Sequence, residues 1–168
     1  MKLDIKALIL LGVVVAAVAF FLFMPGSGGL QAAPNAEITT IDGEKIALSD
    51  LKGKPYLVVF WATDCPGCVE EIPQLVQYTQ EQGANALPII AVAMPHDDVN
   101  AIRTMRDQKQ MNYKIAFDKD GALTKAFGGV KVTPTNFLVN PDGNIVLSKM
   151  GALNINDLKQ RVNAMKAG

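Results

Sequence analysis

The run Tyr56-Leu57-Val58-Val59-Phe60 contains no polar residue, and a few positions later the chain places both of its cysteines, Cys65 and Cys68. A strand without polar positions has to be covered on both faces, so an exposed sheet is excluded and layers above and below are required. The run from Val69 to Gln82 then takes helical spacing, with Cys68, Ile72, Leu75, Val76 and Thr79 on one face and Pro73 as an internal kink. The cysteines therefore occupy a strand-to-helix junction, within Trp61-Ala62-Thr63-Asp64-Cys65-Pro66-Gly67-Cys68. A thiol at the start of a helix meets unpaired backbone N–H groups and the positive end of the helix dipole, which favour its thiolate. Cys65 is thus the candidate nucleophile. Cys68, one helical turn on, is placed to resolve any disulfide that Cys65 forms.

Other uses of the pair fit less well. A disulfide that closes so short a loop constrains the unfolded chain little, which argues against a purely structural bridge. Tetrahedral zinc needs about four ligands, and the chain offers two cysteines and one histidine. No metal and no bound cofactor is expected, because a cysteine pair itself carries two electrons. His96, in Met94-Pro95-His96-Asp97-Asp98, follows a strand end where α/β proteins often place sites. A lone loop histidine is more often simply solvated.

The amino terminus limits where this chemistry takes place. Ala7 to Met24 carries no charge and is preceded by Lys2 and Lys6. At about 1.5 Å per residue it nearly spans the roughly 30 Å hydrocarbon core. The positive-inside rule leaves the lysines in the cytoplasm and carries the rest across the membrane. The expected organisation is a membrane anchor over residues 1–24, with a cleaved signal peptide as the rival. A flexible Gly/Ala/Ser/Pro-rich linker over 25–34 and one domain over 35–168 follow. The domain is then expected on the extracytoplasmic side of a membrane crossed once, where disulfides persist. With 16 basic and 16 acidic residues, the chain has no electrostatic footprint for nucleic acid.

Within the domain, strand and helix patterns alternate. Ile38 to Leu48, broken at Asp42-Gly43, predicts a hairpin, and Ile89 to Ala93 a second buried strand. Asp97 or Asp98 is positioned to cap a helix carrying Val99, Ile102 and Met105. A third strand over Lys114 to Phe117 and a short helix over Leu123 to Phe127 come next. A strand over Val132 to Val139, with Pro134 near its start, turns at Pro141-Asp142-Gly143-Asn144 into an antiparallel return over Ile145 to Leu147. Asn154 caps a last helix with Ile155, Leu158, Val162 and Met165 on its apolar stripe. Parallel βαβ, then a hairpin and a covering helix, make an α/β sandwich.

Several of these segments, in this order, resemble the thioredoxin superfamily, specifically the membrane-anchored thiol-disulfide reductases of the TlpA, ResA and CcmG type. They are Leu51-Lys52-Gly53-Lys54-Pro55, Phe60-Trp61-Ala62, Cys65-Pro66-Gly67-Cys68, Glu71-Ile72-Pro73 and Val132-Thr133-Pro134-Thr135. The resemblance implies a three-layer thioredoxin-like sandwich with a mixed central sheet. It makes Cys65 the attacking thiol, Cys68 the buried resolving thiol, and Pro134 a cis-proline beside the redox disulfide. Trp61, Pro66, Gly67 and Thr133 become the substrate-contacting residues, with a core-aromatic role for Trp61 as the alternative. Val59 stands where thioredoxin has its buried aspartate, and Glu71 matches the acidic residue of the anchored reductases. A solvated first-turn acid, like Glu70 beside it, is the other reading of Glu71.

The resemblance also implies a bacterial inner membrane protein, single-pass, with its domain facing the periplasm or extracytoplasmic space. The partners implied are protein disulfide substrates, such as apocytochrome c or copper-site assembly proteins, and an integral membrane electron donor to a monomeric reductase. A thiol oxidase or isomerase of the same fold is one alternative, and a copper-binding chaperone-like module another. The CxxC spacing counts against a copper chaperone of the related Sco type, which would want CxxxC with a distant histidine. Thr63 stands two residues before Cys65, whereas a peroxiredoxin has its threonine three before the cysteine.

Overall fold

The computed structural model describes residues 31–167. The anchor expected over 1–24, and the linker up to residue 30, lie outside the described residues. Among the described residues no helix is long and apolar enough to cross a membrane.

The fold is built around β4 (Tyr56–Trp61), all six residues of which are buried. β4 pairs in parallel with β5 (Ile89–Ala93), and β5 in parallel with β6 (Lys114–Phe117). On its other side β4 pairs antiparallel with β7 (Thr135–Val139), which pairs antiparallel with β8 (Asn144–Met150). A two-residue edge strand, β1 (Gln31–Ala32), pairs with Ile145 and Asn144. The central sheet thus has the mixed order β1-β8-β7-β4-β5-β6, and β2 (Glu37–Thr39) with β3 (Lys45–Ala47) forms a separate hairpin.

Alternation along β4 assigns the layers. Leu57, Val59 and Trp61 face α1 (Pro66–Gln82), α2 (Val99–Lys109) and α4 (Ile155–Ala167), through Leu75, Tyr78, Ile102, Leu158 and Val162. Tyr56, Val58 and Phe60 face Ile38 of the hairpin and α3 (Ala122–Ala126) with its following Phe127. There Phe60 meets Phe127 and Phe137 edge-on, with ring centroids 5.3 and 5.9 Å apart. This is the thioredoxin-like α/β sandwich.

Four local features differ from the sequence reading. α1 begins at Pro66, three residues early, because proline lacks only an N–H that the first turn leaves unpaired anyway. Its buried surface takes in Glu71 and Tyr78, while Thr79, near the helix end, is half-buried with Oγ1 2.6 Å from Asn112 Oδ1. β7 begins at Thr135 and not at Val132, since Pro134 has no N–H to give the ladder. Gln31 and Ala32, inside the stretch expected to be linker, extend the sheet edge, and Ala33 N donates to Gly143 O. Of the two proposed caps of α2, Asp98 accepts from Asn100 N and Ala101 N.

Candidate active site

The C-terminal end of β4 delivers the chain into α1, and Cys65 is the N-cap of that helix. Its Sγ accepts a hydrogen bond from Cys68 N at 3.2 Å, so the sulfur takes up one of the unpaired first-turn donors. Cys65 is half-buried, whereas Cys68 is 2% exposed within the cluster formed by Trp61, Ile72, Val76 and Ile102. The two are joined by a disulfide, with Cα atoms 5.3 Å apart. Only one sulfur of the pair is therefore accessible to a large reaction partner.

Pro134 lies against this turn. The Thr133–Pro134 bond is cis, and a Cβ placed on Gly67 would stand 3.6 Å from Pro134 Cδ. The carbonyl of Pro134 accepts from Gly151 N at 2.7 Å, which fastens the loop to the end of β8. Pro66 is exposed and Gly67 and Thr133 are half-exposed. Trp61 is not exposed with them. At 2% exposure it is a core aromatic beneath the pair, because its position on β4 points it under α1. Its indole Nε1 has no hydrogen-bond partner among the described residues.

Glu71 is buried on the same side of α1, one turn beyond Cys68 and 2% exposed. The solvated-acid reading suits its neighbour Glu70, which is exposed, and not Glu71. Glu71 Oε1 accepts from Leu153 N at 2.6 Å and from Asn136 Nδ2 at 3.3 Å. Burial raises the Glu71 pKa, and these two donors offset the rise only in part. Burial, and next the Glu71 charge, also push the Tyr113 hydroxyl upward.

Two features of the site were not singled out in the sequence. Asn136, a buried polar residue in the middle of β7, carries no local sequence signal, since only the register of β7 on β4 puts it opposite Val59 and within reach of Glu71. The contact between Asp97 and Thr63 is the other: the sequence marked that loop for His96 and for a helix cap, but not for this tie. Asp97 accepts from Thr63 N at 2.8 Å and from Thr63 Oγ1 at 2.6 Å, binding that loop to the turn before Cys65. His96 is carried along and stands 3.4 Å from Asp64, with both side chains exposed. The acidic pair after a strand end was a partial signal for this contact.

Comparison with known proteins agrees with this geometry. Residues 30–148 match the AhpC/TSA family. The thiol-disulfide oxidoreductase ResA of Bacillus thuringiensis subsp. konkukian is 32% identical over 116 residues, which cover 69% of this chain and 66% of that protein. The matched chain thus spans about two thirds of that relative's length. ResA of Bacillus subtilis is 29% identical over 136 residues, covering 81% of this chain and 75% of that protein. Among solved structures, a thiol:disulfide interchange protein of the thioredoxin family from Chlorobium tepidum superimposes with a TM-score of 0.73 at 26% identity, covering 83% of this chain and 99% of the other. The chain belongs to the AhpC/TSA family and is similar to its thioredoxin-like thiol-disulfide oxidoreductases.

Proposed function

We propose that this chain is a membrane-tethered reductase of protein disulfides, acting outside the cytoplasm. The observation that carries the proposal is the asymmetry of the pair: Cys65 is a half-exposed N-cap sulfur, and Cys68 is buried behind it. In the reduced protein the Cys65 thiolate attacks one sulfur of a client disulfide. A Cys65–client bond forms, the client's own S–S bond breaks, and the second client sulfur leaves as a thiolate that takes up a proton. Cys68 then loses its proton to the Glu71 carboxylate and attacks Cys65. The Cys65–Cys68 disulfide forms, the client departs fully reduced, and two electrons have passed to it.

Pro134, Thr133, Pro66 and Gly67 frame the accessible sulfur and offer backbone to an extended client segment. The resemblance to anchored reductases favours reduction over oxidation, apocytochrome c or copper-site assembly proteins as clients, and an integral membrane dithiol donor. The charge-free run Ala7 to Met24 favours the tether. Replacement of Cys68 by alanine tests these roles in cells. Cys68→Ala should accumulate client adducts that thiol reductant releases, and Cys65→Ala should accumulate none. Adducts of equal abundance with both variants would overturn the assignment.

A further inference from the structure

Asn136 is fully buried, yet it sits in a central strand where an apolar residue would be the simpler choice. Its amide orientation is determined by its neighbours. Both groups facing its nitrogen are acceptors, Glu71 Oε1 at 3.3 Å and the Gly151 carbonyl at 3.1 Å, so Nδ2 spends its two hydrogens on them. Rotating the amide would set its oxygen against two acceptors. Oδ1 points elsewhere and has no partner among the described residues. A buried acceptor without a donor destabilises a fold, and an apolar side chain of similar size avoids that penalty. Stability alone therefore does not account for asparagine here.

The arrangement around Glu71 does account for it. Among the described residues, the carboxylate receives only Leu153 N and Asn136 Nδ2. The titratable groups on the elements packed around it include Tyr113, half-buried on the approach to β6, Lys149, exposed on β8 directly opposite Asn136, the exposed Glu70 and buried Tyr78 of α1, and Lys159 of α4. Cys68 lies one turn back on α1 itself. Leu153 N is a backbone donor that no substitution other than proline removes, which leaves Asn136 as the adjustable side-chain donor. The Gly151 carbonyl accepts from Nδ2 and so holds the amide in its donating orientation.

We propose that Asn136 is the positioning residue for Glu71: its amide, braced by the Gly151 carbonyl, holds the buried carboxylate in place and sets the pH at which it takes a proton. The proposal extends the proton-handling role given to Glu71 above and rests on that reading only for its consequence in thiol chemistry. A donor to a carboxylate favours the charged form, so its removal favours protonation.

The test is carboxyl-carbon NMR of the full-length oxidised protein, labelled at glutamate, with the Glu71 resonance assigned by its absence in Glu71→Gln. Asn136→Leu should move the Glu71 midpoint upward by about one pH unit, a tenfold change in proton affinity. Asn136→Ala should do the same if the larger side chain disturbs packing. The pH profile of iodoacetamide alkylation of the reduced protein should shift in the same direction, and Asn136→Leu should leave that profile unmoved in a Glu71→Gln background. An unchanged Glu71 midpoint in both Asn136 variants overturns the proposal. A midpoint that moves while alkylation does not follow upholds it and removes Glu71 from the thiol chemistry instead.

Discussion

The two sides of the Cys65–Cys68 turn are built in opposite ways. Outward, half-exposed Cys65 lies beside exposed or half-exposed groups: Asp64, Pro66 and Gly67 adjoin it in the chain, and the Asp97–Thr63 contact ties the loop that carries His96 to the turn before it. Inward, Cys68 is enclosed by Trp61, Ile72, Val76 and Ile102, and the nearby polar groups, Glu71 and Asn136, are buried and bonded to each other. Charge is screened by water on the first side and sensitive to every donor on the second. One disulfide therefore joins a sulfur suited to meeting a large partner to a sulfur suited to controlled proton exchange.

Substitutions on each side break or sharpen this comparison. The largest effect belongs to the pair itself: Cys65→Ala and Cys68→Ala should each abolish multiple-turnover reduction of a protein disulfide, and only Cys68→Ala should form a stoichiometric mixed disulfide by mass spectrometry. Next comes the buried side. Glu71→Gln should slow disulfide exchange by about a hundredfold, the low end of what a positioned acid–base group supplies. Glu70→Gln, one residue away but exposed, should match wild type in the same stopped-flow assay.

Stability against pH reads the same carboxylate. Burial raises the folded-state pKa of Glu71 above its ordinary value of 4.5. Its unfavourable contribution is therefore absent at pH below that value, where folded and unfolded chains are both protonated. It grows as pH rises from there to the folded pKa, because the unfolded chain ionises first, and it stays above that. Glu71→Gln should accordingly be more thermostable than wild type at neutral pH, and this gain should shrink to nothing in acid. Thermal melts from pH 3 to 8 check the sign.

The outward side should respond more weakly. Asp97→Ala removes the acceptor of both Thr63 bonds and should lower stability by about 1–2 kcal/mol in chemical denaturation, with a several-fold loss of exchange rate as the turn before Cys65 loosens. His96→Ala should be nearly silent in both assays, since an exposed pair at 3.4 Å is worth little.

Much of this molecule was legible in its sequence because local chemistry decides it. The unbroken apolarity of β4 and β5, the Asp98 and Asn154 caps and the Asp142-Gly143 turn each act within a few residues. The cysteines were legible for the same reason, since a helix start next to CxxC carries its own electrostatics. What the sequence left open depends on register between distant strands. Asn136 meets Glu71 across 65 positions, and Trp61 falls beneath α1 and away from the client side because alternation along β4 turns it inward. β1 was hidden for another reason: its composition is that of a linker, and only the free edge of β8 makes it a strand.

The most direct test of the asymmetry is to treat the reduced full-length protein with substoichiometric iodoacetamide near pH 7 and map the label by peptide mass spectrometry. The half-exposed N-cap position should direct the label to Cys65 at least tenfold over Cys68, at roughly the selectivity that thiolate character and access together provide. Equal labelling of the two cysteines, or preference for Cys68, would contradict the division of roles between the outward and inward sulfur.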